Sequence, residues 1–159
     1  MGNVATSTRN LFLRATYVDN PEDQMMTKST PKNSPYIDGF VFPISPSNLE
    51  KYRAVADVVA AIYREHGAID YVEFIGEDMQ REGTRSFLEM TGVENGETVV
   101  FGWIVYESRE ERDRVNRLVE ADARMGDLVA PLMDPSNPVF SPDRMAFGGF
   151  KPLVRSARQ

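Results

Sequence analysis

The sequence predicts an α+β domain of the ferredoxin-like class, a βαββαβ sandwich with a four-stranded antiparallel sheet. Two strand–helix units share the same spacing from a glycine in the strand to a serine before the helix. A further strand pattern follows each unit, which gives the order β-α-β-β-α-β. With right-handed crossovers, that order places both helices on one side of the sheet.

The most informative stretch runs from Thr98 to Tyr106. It alternates two sets of apolar side chains, as a strand covered on both faces does. Ser108 followed by Glu111 is the capping-box pattern of a helix start. The stretch is therefore predicted to be a central strand that leads into a helix spanning 109 to about 123.

A similar unit lies 63 positions upstream, where Gly39 aligns with Gly102 and Ser45 with Ser108. The strand is predicted over 36–42. Ser45 precedes Pro46 and is expected to cap the next helix, because proline is tolerated at the first helical position. The repeat indicates two halves of one fold.

The remaining elements are less regular. Residues 69–75 alternate polar and apolar side chains and are predicted as the second strand, and 144–150 as the last. Within the glycine-containing segment 77–96, residues 85–90 are expected to form a short irregular strand. Residues 122–140 are expected to hold a short helical turn interrupted by prolines.

The two faces of the sheet are predicted to differ. We expect a close-packed set beneath the helices: Ile37, Gly39, Val41, Val100, Gly102 and Ile104. We expect an aromatic set on the opposite face: Tyr36, Phe40, Phe42, Phe101, Trp103, Met145 and Phe147. A monomer rarely exposes an apolar patch of more than ~600 Å², so a second copy packed sheet against sheet is expected to cover it.

Several segments resemble a known family. They are Tyr36-Ile-Asp-Gly-Phe-Val, Tyr63-Arg-Glu-His-Gly-Ala, Val100-Phe-Gly-Trp-Ile-Val-Tyr and Arg144-Met-Ala-Phe-Gly-Gly-Phe, and they are similar to the YbaA-like bacterial domains of unknown function. The resemblance covers about 35–154 and implies a dimeric α+β barrel. That group includes cofactor-independent monooxygenases, isomerases, haem-handling proteins and stress-induced proteins. The YbaA-like branch has no assigned catalytic residues to carry over.

The candidate catalytic residues are Asp38 and Glu73, which are expected about 10 Å apart with Trp103 between them. Asp38 on an aromatic face must be paired, with Arg144 as the expected partner, or have a raised pKa. The arginines at 109, 112, 114 and 117 alternate with acids and are predicted to lie on a solvated helix face. The candidate pocket residues are Tyr36, Asp38, Phe40, Tyr71, Glu73, Phe101, Trp103, Met145 and Phe147.

Three functions fit this pattern. The first is a homodimer that binds a small, partly apolar molecule inside the barrel. The second is a structural or stress-related dimer without a ligand. The third is a cofactor-independent enzyme, similar to a monooxygenase or isomerase, in which Asp38 is the acid or base and Glu73 the second carboxylate.

Composition excludes several other classes. The chain has 159 residues, no cysteine and one histidine, so neither thiolate chemistry nor an imidazole zinc site is expected. A net charge of −6 argues against nucleic-acid binding. We expect no membrane span and no cofactor. We expect a cytoplasmic location. Residues 1–34 are predicted to be a flexible extension, 35–154 the domain, and 155–159 a frayed tail.

Overall fold

The computed structural model describes residues 34–154, so the predicted extension and tail lie almost wholly outside the described residues. The strands are β1 (Tyr36–Ile44), β2 (Asp70–Ile75), β3 (Thr98–Tyr106) and β4 (Ala146–Phe150). The helices are α1 (Leu49–Glu65), α2 (Phe87–Met90), α3 (Arg109–Ala121) and α4 (Ala123–Val129). Short 3-10 turns occupy Pro46–Asn48, Ala130–Leu132 and Pro142–Arg144.

The four strands form one antiparallel sheet in the order β2-β3-β1-β4. The core lies between one face of this sheet and the helices, and it includes Phe42 and Ile104 from the sheet, Ile62 from α1 and Val115 from α3. Both long helices therefore pack on the same side. The predicted ferredoxin-like α+β class is confirmed, with β3 between β1 and β2.

The prediction of faces was wrong for β1 and for Phe147. Phe40 pairs with Gly102, and Phe147 pairs with Phe40 on the other side. Residues that pair directly share a face, so these aromatic side chains lie on the helix side. Tyr36, Asp38 and Phe42 lie there too, because side chains alternate along a strand.

The reason is a slip of one residue in the sequence repeat. Strand β1 begins at Tyr36 and β3 at Thr98, an offset of 62 positions, whereas the alignment used 63. A shift of one residue moves every side chain of a strand to the opposite face. The repeat was aligned on the serine before each helix, but the two strand–helix connections differ. Strand β1 leads into the 3-10 turn Pro46–Asn48, whereas β3 reaches α3 through Ser108.

Three local predictions also change. Residues 85–90 contain the short helix α2, not a strand, and Ser86 caps it by accepting a hydrogen bond from the backbone N–H of Leu88 at 3.1 Å. Ser45 makes no capping bond to the backbone and instead lies 2.8 Å from the Ser47 hydroxyl. The last strand begins at Ala146, after a 3-10 turn.

Aromatic packing joins the sheet to the helix layer. The Phe42 ring lies 5.3 Å from Tyr52 of α1 and 4.7 Å from Phe140, centroid to centroid. Phe42 is fully buried, and burial of one such side chain contributes about 1.5–3 kcal/mol. This packing fixes the register of α1 over the sheet. Within 34–154, no helix is both long and apolar enough to span a membrane.

Candidate functional site

A row of four aromatic rings lies on the sheet face away from α1 and α3. Phe74 of β2 lies 5.2 Å from Trp103 of β3, Trp103 lies 5.6 Å from Phe101, and Phe101 lies 5.7 Å from Phe87 of α2. We call these four residues the aromatic row. Their spacing is that of favourable aromatic pairs, so the row is one continuous apolar surface.

The aromatic row remains open to solvent. Phe74 is 49% exposed, Phe87 43% and Phe101 38%. The strand register places Asp70 on this face, and Asp70 is the charged residue among the strand residues there. An aromatic surface of this kind without charge is typical of an interface or a ligand-binding surface.

The segment between β2 and β3 places Phe87 at the end of the row. Arg144 holds this segment, donating to the Glu97 carboxylate at 2.6 Å and to the Gly92 carbonyl at 2.6 Å. The expectation that Arg144 pairs with Asp38 was therefore wrong. Arg144 instead anchors the loop that carries α2.

Asp38 lies under α3, on the helix side of the sheet. Its Oδ2 accepts from the Asn116 amide at 3.2 Å and from the Tyr106 hydroxyl at 3.3 Å. The Arg112 guanidinium lies with Nε 3.8 Å from Oδ1 and its centre 5.0 Å from the Tyr36 ring centroid. The carboxyl is therefore held by residues of the same chain.

This buried pair is incompletely satisfied. Asp38 Oδ1 and Arg112 Nε are both buried, and neither makes a hydrogen bond of good geometry within the described part of the chain. Arg112 Nε also forms an ion pair with Asp113 Oδ1 at 3.1 Å. Burial raises the pKa of Asp38, while Arg112 and the hydrogen bond from Asn116 oppose that rise. A buried carboxyl with a raised pKa and an unoccupied oxygen has the chemistry of a proton acceptor, although structural pairs show the same shift.

Glu73 forms a second, partly buried group with two tyrosines. The Tyr52 hydroxyl donates to Oε2 and the Tyr71 hydroxyl to Oε1, each at 2.8 Å. Burial raises the pKa of Glu73, and the two hydrogen bonds partly counteract it. Burial and the Glu73 charge also raise the pKa of both tyrosines, which therefore stay protonated as donors.

A small pocket adjoins this group between α1, β2, the end of α4 and the 3-10 turn that follows it. It is lined by Tyr52, Val55, Ala56, Val59, Tyr71, Val129 and Leu132. Its volume of about 10 Å³ is room for about one water molecule. Neither Asp38 nor Trp103 lines it.

The candidate residues are thus divided between two faces. Phe101 and Trp103 lie on the open face. Met145 packs against the core, and the helix side carries Tyr36, Asp38, Phe40, Tyr71, Glu73 and Phe147. Trp103 does not lie between the two carboxyls, because Gly102 and Ile104 occupy that side of β3.

Sequence reasoning missed the partners of Asp38. Arg112 was assigned to a solvated face, yet it is 6% exposed. Its spacing to the buried Val115 and Val119 is three and seven residues, which places it on the buried face of α3. That spacing was the available signal. Within 34–154, no group of three or more acidic or histidine side chains is placed to hold a metal ion.

Comparison with known proteins supports both the fold and the family. A family described as "Protein of unknown function (DUF1428)" matches residues 35–135. The "Uncharacterized protein YbaA" of Escherichia coli K12 is 34% identical over 119 residues, which cover 75% of this chain and 97% of that protein. The YbaA protein of Shigella flexneri matches equally.

A solved structure shares the architecture. The "Putative antibiotic biosynthesis monooxygenase from Nitrosomonas europaea" superposes with a TM-score of 0.50 at 8% identity, covering 80% of this chain and 99% of that one. At that identity the likeness concerns the fold alone.

Proposed function

The chain belongs to the DUF1428 family of proteins of unknown function, and from its geometry we propose that it forms a homodimer through the aromatic row and binds a small, largely apolar molecule between the two sheets. The observation that carries this proposal is the exposed, uncharged row Phe74–Trp103–Phe101–Phe87 on the face that the helices leave open.

A second copy is the occupant that this face fits best. An antiparallel sheet face can meet its own copy about a two-fold axis, so that the same apolar patch serves both partners. A net charge of −6 opposes association elsewhere on the surface, whereas this face carries Asp70 as its charged strand residue. Burying three half-exposed phenylalanines of each copy gives a core of the kind found in stable interfaces.

Phe101 and Trp103 are the residues proposed to contact the ligand. The carboxyls expected in the barrel interior lie on the helix side, so the space between two such sheets offers the ligand rings and few polar groups. The ligand class is therefore apolar, held by packing and ring contacts rather than by a charge.

A pair of matched substitutions tests the interface. Phe101→Lys places a charge in the aromatic row, and Phe147→Lys places one on the other face at similar exposure, 38% against 43%. Sedimentation equilibrium is expected to show Phe101→Lys as a monomer and Phe147→Lys as a dimer. A dimer for both variants, or a monomer for both, would contradict the assignment of the interface to this face.

Native mass spectrometry of the purified wild-type protein tests the ligand. A bound small molecule that is lost in Phe101→Lys supports a ligand site between the sheets. A dimer without any bound species, and with Trp103 emission unchanged by apolar probes such as naphthalene, would favour the second candidate, a structural dimer. The contact of the rings with one another, at centroid distances of 5.2–5.7 Å, is the observation that favours that candidate.

An enzymatic role is a third candidate, and Asp38 is its base. The buried Oδ1, which accepts no hydrogen bond within the described residues, supports it, because a substrate that donates to the carboxylate would complete that group. General acid–base catalysis contributes roughly 10²- to 10⁴-fold. Once a substrate is identified, Asp38→Asn should lower turnover by about that factor while the dimer persists; unchanged turnover would exclude Asp38.

A further inference from the structure

Within residues 34–154, the carboxyl of Glu73 has no positive partner. Among the described residues it forms no ion pair, and its two hydrogen bonds come from the neutral hydroxyls of Tyr52 and Tyr71. Asp57, a charged side chain close enough to act on it, is also negative and raises the pKa of Glu73 further. The site therefore carries a negative charge that no ion pair among residues 34–154 balances.

Further aromatic rings pack against the two tyrosines that hold Glu73. Tyr71 lies 5.4 Å from Tyr63 and 6.4 Å from Phe40, and Tyr52 lies 5.3 Å from Phe42. The faces of such rings carry partial negative charge and attract cations. Rings together with a carboxylate are the combination that recognises ammonium groups in proteins.

The pocket beside these rings supplies the space. Tyr52 and Tyr71 form part of its wall. Aliphatic side chains from α1, from the end of α4 and from the 3-10 turn after it form the rest: Val55, Ala56, Val59, Val129 and Leu132. Each tyrosine oxygen donates its proton to Glu73 and can still accept one hydrogen bond. Glu73 does not line the pocket, but its charge lies one hydrogen bond behind the two tyrosines of the wall. A cation entering the pocket would thus lie close to a negative charge, and its carbon atoms would meet an apolar wall.

We propose that this pocket binds the headgroup of a small protonated amine. The volume of about 10 Å³ limits the buried part to an ammonium-sized group, with the apolar remainder against Val129 and Leu132. This site lies on the helix side of the sheet and is independent of the aromatic row on the other face.

The probe is methylammonium chloride at pH 8, titrated to about 200 mM at constant ionic strength against potassium chloride. For a ligand of two non-hydrogen atoms, the tightest dissociation constant to expect is on the order of 10 mM. Methyl NMR of Val55, Val59, Val129 and Leu132 reports the pocket, and the methyls of the exposed Val154 report nonspecific effects. Methanol is the neutral probe of equal size.

The expected result is a saturable shift of the four pocket residues with methylammonium, no such shift with methanol, and no shift at Val154. Equal shifts with both probes, or none with methylammonium, would overturn the proposal using the wild-type protein alone.

Two variants sharpen the test. Glu73→Gln removes the charge and keeps the shape, and should reduce the methylammonium shifts at least about fivefold. Glu107→Gln removes an exposed acid away from the pocket and should bind as the wild type does. Shifts that persist in Glu73→Gln would show that the carboxylate does not hold the amine.

Discussion

The Phe40 ring occupies the space above Gly102, its direct partner across β1 and β3. A Cβ on Gly102 would lie 2.5 Å from Cζ of Phe40 and 2.9 Å from Cγ of Glu73. The glycine is therefore required for the two side chains to meet over the sheet, and it positions the wall on which Tyr71 packs.

Substitution of Gly102 should be costly for this reason. Gly102→Ala forces the buried Phe40 ring to move within a close-packed core, so we expect the free energy of unfolding to fall by about 1–3 kcal/mol. Gly39→Ala is the matched control, because its Cβ would come closest to the exposed Phe150 ring, at 3.1 Å, and a surface ring can give way more easily than a buried one. Urea denaturation should show a change within about 1 kcal/mol for the control, and equal losses for both would contradict the account.

The two predicted helix caps should behave differently. Ser108 Oγ accepts from the backbone N–H of Glu111 at 3.1 Å, so Ser108→Ala should cost about 1 kcal/mol. Ser45 makes no such bond, so Ser45→Ala should change stability by less than about 0.5 kcal/mol. Thermal melts of the two variants decide this, and a larger loss for Ser45→Ala would be inconsistent with the structure.

The Asp38–Arg112 pair should show strong coupling. Arg112→Met leaves a buried carboxyl without a cation and should lower stability by about 3–5 kcal/mol. Asp38→Asn should cost less, roughly 1–3 kcal/mol, because Arg112 Nε keeps a contact of 3.1 Å with Asp113. The double variant should lose less than the sum of the two, and strictly additive losses in a denaturation cycle would show that the pair does not interact.

Stability should depend on pH through Glu73. Its pKa in the folded protein is raised above the ordinary value of 4.5. Between pH 4.5 and the folded-state pKa, the folded protein therefore binds more protons than the unfolded chain. The contribution of Glu73 to the free energy of unfolding is therefore fully present at low pH. It declines as the pH rises from about 4.5 through the folded-state pKa. Relative to the wild type, Glu73→Gln should gain stability over that range in urea denaturation at successive pH values, whereas a constant difference would mean that the Glu73 pKa is not raised.

The order of helices and strands could be predicted from the sequence, because each of these elements is marked by a pattern of residues close together in the chain. Ser108 and Glu111 mark the start of α3, and the alternation of residues 69–75 marks β2 and places Tyr71 and Glu73 on one face, as the register shows. The strand order also follows, since the ferredoxin-like topology leaves few alternatives.

The faces of β1 could not be predicted in the same way. Both of its alternating sets are apolar, so hydrophobicity does not distinguish the side that meets the helices. The distinguishing information is the pairing of Phe40 with Gly102 and of Gly39 with Trp103, and that pairing depends on register between strands more than 60 residues apart. The partners of Asp38 depend on the same register, which explains why Arg144 was expected in place of Arg112.

The most direct test of the proposed homodimer is size-exclusion chromatography with light scattering on the wild-type chain at micromolar concentration. The account predicts a mass of twice the 17.9 kDa chain, together with a blue-shifted emission of Trp103, the single tryptophan, that shifts to the red on dilution. A mass of 17.9 kDa with unchanged emission across the dilution series would contradict the claim that the aromatic row joins two copies.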